Sequence, residues 1–307
     1  MHNIAVIDIG GTAIKYGLMT PEGTLKQQGS MPTKAREDGA DGIVEKVIGI
    51  VKEYQQHFYV DAVGIDTAGI VKPGQDGEIV FAGGESFPGY SGTRLGKLVR
   101  EATGLPCVVE NDVNAAAIGE YTQGAARGAK SAFVMTVGTG IGGCLILDGK
   151  IWHGASYSAG EAGFMRVHGD QRIFEEIAST RAMLQEAAYT HNVSPAELTG
   201  EQVFAWARRG DADAQAAIVH FAQNLSEGIA NICCLLNPEI IVLGGGIMAQ
   251  RQMLAPLITR EVERLVPEAM RKNTRIDYAL LGNTAGMIGV GQLARQLQIL
   301  ADGNVTK

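Results

Sequence analysis

The chain has 307 residues, 46% hydrophobic and 19% charged, with a formal net charge of −7. That is enough for about two domains of roughly 100–200 residues, each with ample apolar surface for a core. The acidic balance and the lack of a Lys/Arg run argue against a nucleic-acid partner, and no run of 18 apolar residues offers a membrane span. The four cysteines (Cys107, Cys144, Cys233, Cys234) show no C-x-x-C spacing and read as small buried hydrophobes of a reducing compartment. The early apolar run meets Asp8 too soon for a signal peptide, so a cytoplasmic protein is expected.

In chain order, "IAVIDIG" and "KYGLMTPEGTLK" read as two strands joined by a glycine turn. "GADGIVEKVIGIVKEYQQ" has helical spacing, with Ile43, Val47, Ile50 and Val51 on one face. "VDAVGIDTAGIV" returns to strand, and "TRLGKLVREATG" predicts a helix stopped by Gly104. "PCVVEND" is a short buried strand that leads into the helix "VNAAAIGEYTQG". This β–β–α–β–α–β series predicts a sheet covered by helices. "SAFVMTVGTGIGGCLILDGKIWHG" starts the series again with two or three strands. A helix-rich region follows, then the strand "EIIVLGGGIM" and the closing helices "LAPLITREVERLV" and "NTAGMIGVGQLARQLQIL". The pattern is one duplication of a half-protein unit, which predicts two similar lobes facing a cleft.

The two glycine turns carry the chemistry. Gly10, Gly11 and Thr12 sit where the first strand turns back, and Gly138, Thr139 and Gly140 repeat the arrangement. Glycine lets backbone N–H groups approach a ligand without a Cβ in the way. Thr12 adds a hydroxyl, Lys15 is placed to neutralise phosphate, and Asp8 is suited to hold Mg²⁺ through water. Two readings are open for each turn taken alone, a phosphate cradle or a tight hairpin. Neither matches G-x-G-x-x-G before a helix or a Walker A loop. Gly244, Gly245 and Gly246 close the strand "EIIVL", either as a flat floor for an adenine or ribose or as close helix–strand packing. In "VVENDVNAAA", Asn111 and Asp112 stand at a helix start. Asp112 is a candidate base for an alcohol nucleophile, and both residues are also good helix caps.

The ordered set "IDIGGTAIKYG", "ENDVNAAAIGE", "TVGTGIGGCL", "SAGEAGF" and "IIVLGGGI" resembles the ROK sugar kinases, within the actin/hexokinase-type ATPase fold, from about Ile4 to about Leu293. The resemblance implies an α/β protein of two actin-like, ribonuclease H-like lobes around a central cleft. Their expected bounds are residues 1–112 plus 291–307 for the small lobe and 113–290 for the large one. It implies ATP- and Mg²⁺-dependent phosphorylation of a hexose hydroxyl, usually at C6, and a homodimer. By the same resemblance Asp112 is the base. Asn111, Glu161, Gly69 and Gly84 face the sugar, and Glu175 does so in preference to Glu176.

Two segments depart from the family pattern. Most members carry a His and a cysteine segment that bind structural zinc. Here Phe164 and "MRVHGDQR" stand in that place, so no zinc site is expected and His168 reads as a loop residue. "FAGGESFPGY" replaces an Asn-containing sugar segment. The zinc-less form looks nearest to the β-glucoside kinases, with glucose and N-acetylmannosamine as the alternative substrates. A sugar-responsive regulator without turnover and a filament-forming ATPase are the competing classes. The winged helix of the family's DNA-binding members is not expected before a strand that starts at about Asn3.

Overall fold

The computed structural model describes residues 3–303 except Gln75, Gly84, His168 and Asp170, so Gly84 and His168 lie outside the described residues. The chain divides into two compact units. The first runs through Gly124 and also takes in His153–Ser158 and the chain from Asn283. The second comprises Ala125–Trp152 and Ala159–Gly282.

The first unit begins with β1 (Asn3–Ile9), β2 (Ala13–Met19), β3 (Leu25–Pro32) and α1 (Ala35–His57). It continues with β4 (Val60–Thr67), the hairpin β5 (Ile70–Lys72) and β6 (Glu78–Phe81), α2 (Leu95–Thr103), β7 (Cys107–Asn111) and α3 (Asp112–Gln123). β1 is apolar almost throughout because it is a central strand, and Ile4, Val6, Ile7 and Ile9 are all buried. α1 buries Ile43, Val47, Ile50 and Val51, the face its spacing predicts, together with Tyr54. α2 ends on Gly104, whose φ of 73° lets its N–H bond back to Arg100.

The second unit holds β8 (Ser131–Val137), β9 (Ile141–Leu147), β10 (Lys150–Ile151), α4 (Phe174–Ala178), α5 (Thr180–His191), α6 (Gly200–Arg208) and α7 (Ala212–Leu236). It closes with β11 (Ile240–Gly244), α8 (Arg251–Leu265), α9 (Glu268–Arg271) and β12 (Arg275–Tyr278). The last helix, α10 (Ala285–Gly303), belongs to the first unit and packs along α3, which is why α3 falls in that unit too.

Each unit is built on a five-stranded sheet of described residues. The orders are β3-β2-β1-β4-β7 and β10-β9-β8-β11-β12. In both, the first two strands form an antiparallel hairpin, and the fourth and fifth run parallel to the first. The duplication visible in the glycine turns is therefore a duplication of the whole sheet. Three strands precede α1 where the sequence pattern predicted two, because β3 ("LKQQGSMP") is a polar edge strand without an apolar alternation. No helix among the described residues is long and apolar enough to cross a membrane.

Candidate functional site

In the first unit the sheet register aligns a row of charges. Asp8 on β1 pairs with Lys15 on β2 and with Asp66 on β4, and Asp66 pairs with Glu110 on β7. Lys15 Nζ donates to Asp8 Oδ2 at 2.8 Å, so its nearest charge is a carboxylate of its own sheet. Asp66 is 1% exposed and its Oδ2 is a buried atom with no hydrogen-bond partner. Burial first, then the charges of Asp8 and Asp112, raises its pKa well above the usual carboxylate range.

The turn between β1 and β2 is closed by Gly10 N–H donating to the Ala13 carbonyl at 3.1 Å. Thr33 braces it from β3's end, its hydroxyl donating to the Gly10 carbonyl at 2.6 Å and its N–H to the Thr12 carbonyl at 3.0 Å. A Cβ on Gly11 would meet no protein atom within 4 Å. The turn thus presents open backbone at Gly11 on a braced frame.

Asn111 caps α3. Its Oδ1 accepts from Val113 N–H at 2.9 Å and Asn114 N–H at 3.0 Å. Its Nδ2 donates to the Gly69 carbonyl and to Asp112 Oδ1, both at 2.9 Å. Gly69 sits at φ 106°, and a Cβ there would collide with the Phe81 carbonyl, so this turn between β4 and β5 tolerates only glycine. Asp112 opens α3 with its Oδ1 also accepting from its neighbour Val113 N–H at 2.9 Å. The cap and the candidate base are one bonded group, so Asp112 can cap α3 without being withdrawn from the end of β7.

Beneath that group lies Glu110, 2% exposed. Its Oε1 accepts from Asn111 N–H and Asn114 Nδ2, both at 2.9 Å, and its Oε2 lies 2.8 Å from His153 Nε2. Neither Glu110 nor His153 stood out in the sequence. They are 43 positions apart, and only the fold pairs them.

In the second unit the turn between β8 and β9 is closed by Gly138 N–H donating to the Gly140 carbonyl at 2.9 Å. Thr180 N–H, at the start of α5, donates to the Gly138 carbonyl at 2.9 Å. Gly138 and Gly246 have open space where a Cβ would stand. Gly245, at φ 99°, lies against the backbone of Val137 and is a packing glycine, and Gly244 is the buried end of β11. Around this turn opens a cavity of ≈ 730 Å³, lined in part by Gly138, Thr139, Thr180, Arg181 and Gly246.

Glu175 on α4 sits behind the same turn. Its Oε2 accepts from Ile141 N–H at 3.3 Å, and a Cβ on Gly140 would stand 2.5 Å from that oxygen. Its neighbour Glu176 instead accepts from Ile173 N–H at 2.9 Å and caps its own helix, so Glu175 is the one turned towards the interior of the unit. Glu161 is exposed by surface area, yet the protein packed about its carboxyl raises its pKa, and the charge of Glu175 adds to the rise. The two carboxylates therefore lie within electrostatic reach of each other.

A profile of the ROK family matches residues 4–297. The chain belongs to the ROK family. A glucokinase of Halalkalibacterium halodurans is 31% identical, over 98% of each chain. A beta-glucoside kinase of Listeria monocytogenes is 28% identical, over 93% of this chain and 95% of its own. Among solved structures, a ROK glucokinase from Streptomyces griseus in complex with glucose and AMPPNP is 30% identical and matches with a TM-score of 0.80, covering 96% of this chain and 99% of that one. The α/β fold of ROK sugar kinases, within the actin-like ATPase class, is thus the fold of this chain.

Proposed function

We propose that this ROK protein is an ATP-dependent sugar kinase that transfers the γ-phosphate of ATP to a hexose hydroxyl, at C6. The observation that carries the reading is the ≈ 730 Å³ cavity built around the second glycine turn, in a unit whose sheet repeats the first unit's order and turn. The kinase names of its relatives support it. Gly138, Thr139 and Gly140 would hold phosphate by backbone N–H groups, and Gly246 would lie against the adenosine. Gly10, Gly11 and Thr12 would serve the terminal phosphate.

Phosphoryl transfer asks for positioning and charge stabilisation more than for covalent chemistry. Asp112 would accept the hydroxyl proton, held in place by Asn111 and by the start of α3. Asn111, Glu161, Glu175 and the Gly69 turn would orient the sugar. Asp8 is the carboxylate that would hold Mg²⁺, through water. Mg²⁺ takes most of its ligands from water and phosphate oxygens and needs only one or two carboxylates of the protein. When bound, that ion supplies charge neutralisation.

A β-glucoside is the sugar this reading favours. Phe164, 66% exposed, stands where zinc-bearing relatives place a histidine, and it offers no donor to a C1 hydroxyl. A coupled ADP-release screen over glucose, N-acetylmannosamine, N-acetylglucosamine and cellobiose tests both levels. Sugar-dependent ADP release supports the kinase, and cellobiose turned over at least as well as glucose supports the β-glucoside. A clear preference for a free hexose or an N-acetylhexosamine overturns the second level alone. Sugar binding without ADP release makes the protein a sugar-responsive regulator instead.

A further inference from the structure

The cavity has two charged lining residues among those described, Arg181 and Glu201. A nucleoside triphosphate carries several negative charges, and among the described residues of this wall Arg181 is the cation that can meet them. Arg181 is the second residue of α5, directly after Thr180, whose N–H holds the carbonyl of Gly138. That register sets the guanidinium beside the turn proposed to hold phosphate.

Arg181 has a second neighbour. Its Nη2 lies 3.8 Å from Glu175 Oε1, with the arginine side chain 51% exposed and the glutamate 27%. At that distance the pair is ionic without a hydrogen bond, and it consumes none of the five guanidinium donors. Glu175 in turn is tied by its other oxygen to Ile141 N–H, the first residue after the turn. Its charge reaches Glu161 as well. Arg181 thus joins the cavity wall to Glu175, both inside one unit.

We infer that Arg181 binds the phosphate of the nucleotide and, through its ion pair with Glu175, couples nucleotide binding to sugar binding. This rests on the kinase reading above, because it takes the cavity as the nucleotide site and Glu175 as a sugar contact. The planar fork can give one edge to a phosphate oxygen and another to Glu175. Without a nucleotide the half-exposed side chain is loosely held, and its pair with Glu175 is worth little. A bound phosphate fixes the guanidinium, which fixes Glu175, and a sugar then meets an acceptor already in place. By linkage the sugar must raise nucleotide affinity by the same factor.

Calorimetry on the full-length protein tests this with AMPPNP and Mg²⁺ as the nucleotide probe and glucose and cellobiose as sugar probes. In the wild type, AMPPNP should tighten sugar binding by about fivefold or more. Arg181→Gln should weaken AMPPNP by about tenfold or more, change sugar affinity without nucleotide by less than about threefold, and abolish the tightening. Arg181→Lys should keep AMPPNP affinity within a few-fold and still lose most of the tightening, because a single ammonium cannot hold both partners in a fixed geometry. Wild-type AMPPNP affinity in Arg181→Gln overturns the inference. So does tightening that survives in both variants, or no tightening in the wild type. A wild type that binds AMPPNP through Arg181 but phosphorylates no sugar would sink the kinase reading and leave the phosphate contact standing.

Discussion

His153 Nε2 lies 2.8 Å from Glu110 Oε2, and this bond secures the residues around Asp112. A carboxylate oxygen accepts from this ring nitrogen when Nε2 carries the imidazole proton. The carboxylate then satisfies three donors at once: His153, Asn111 N–H and the Asn114 amide. His153→Leu removes one donor from a buried carboxylate and should cost about 1–3 kcal/mol in a denaturant titration. His153→Gln, whose amide N–H can replace it, should recover most of that loss. Equal stability in the leucine and glutamine variants would mean that the bond holds nothing.

Gly69 is joined to the same group by the Asn111 Nδ2 bond to its carbonyl. Gly69→Ala would put a Cβ on a residue at φ 106° and against the Phe81 carbonyl. The expected outcome is a loss of about 1 kcal/mol or more from backbone strain alone, with sugar turnover falling further because Asn111 is displaced. A variant as stable and active as the wild type would remove Gly69 from the site.

The glycine turns can be tested without disturbing the fold, but only at chosen positions. Gly11→Val and Gly138→Val enter open space and should melt within a few degrees of the wild type. AMPPNP affinity should drop by about tenfold or more in each, because the new side chain takes the space of a phosphate. Gly140→Val is the wrong probe, since its Cβ would strike Glu175 Oε2. Normal AMPPNP binding in both open-space variants would contradict the two-turn account.

What the sequence made legible follows from local pattern. The apolar run of β1, the buried stripe of α1 and the Gly104 stop of α2 each rest on neighbours within a few residues. β3 and β12 ("RIDY") escaped the same reading, because edge strands are short or polar and carry no alternation to detect. Asn111 was legible as a cap, which the structure shows, and as a candidate site residue, and Glu175 and Glu176 were adjacent candidates that only the packing of α4 could separate. Asp66, Glu110, His153 and Arg181 drew no attention for one shared reason. Each is defined by a partner that the fold supplies: Asp66 by the register of β1 and β4, His153 by a segment that joins the first unit, and Arg181 by the cavity beside it.

His191 gives a pH dependence away from the site. Its Nε2 lies 3.1 Å from Asp211 Oδ2 and its Nδ1 2.8 Å from the Ala187 carbonyl, near the C-terminus of α5. The Asp211 bond first, and the Ala187 bond second, raise its pKa above the usual histidine value. A raised native pKa means that the folded chain binds the proton more tightly than the unfolded chain. The resulting stability is full below the unfolded value of about 6.5 and is lost as pH rises through the higher native value. Denaturant midpoints at pH 6 and pH 8.5 should therefore fall further in the wild type than in His191→Gln, which carries no such proton. Parallel declines in the two proteins would show that the pair contributes nothing.

The most direct test of the kinase account is turnover by Asp112→Asn beside the wild type, with ADP release followed with and without sugar and the product analysed for a phosphosugar. The substitution keeps the size and the hydrogen-bonding oxygen that accepts from Val113 N–H and removes only the capacity to take the hydroxyl proton. The account predicts ADP release by the wild type that depends on sugar, phosphate recovered on the sugar, and a loss of about 10²-fold or more in kcat in the variant with sugar binding largely kept. Near-normal turnover in Asp112→Asn, or ADP release that ignores sugar altogether, would contradict it.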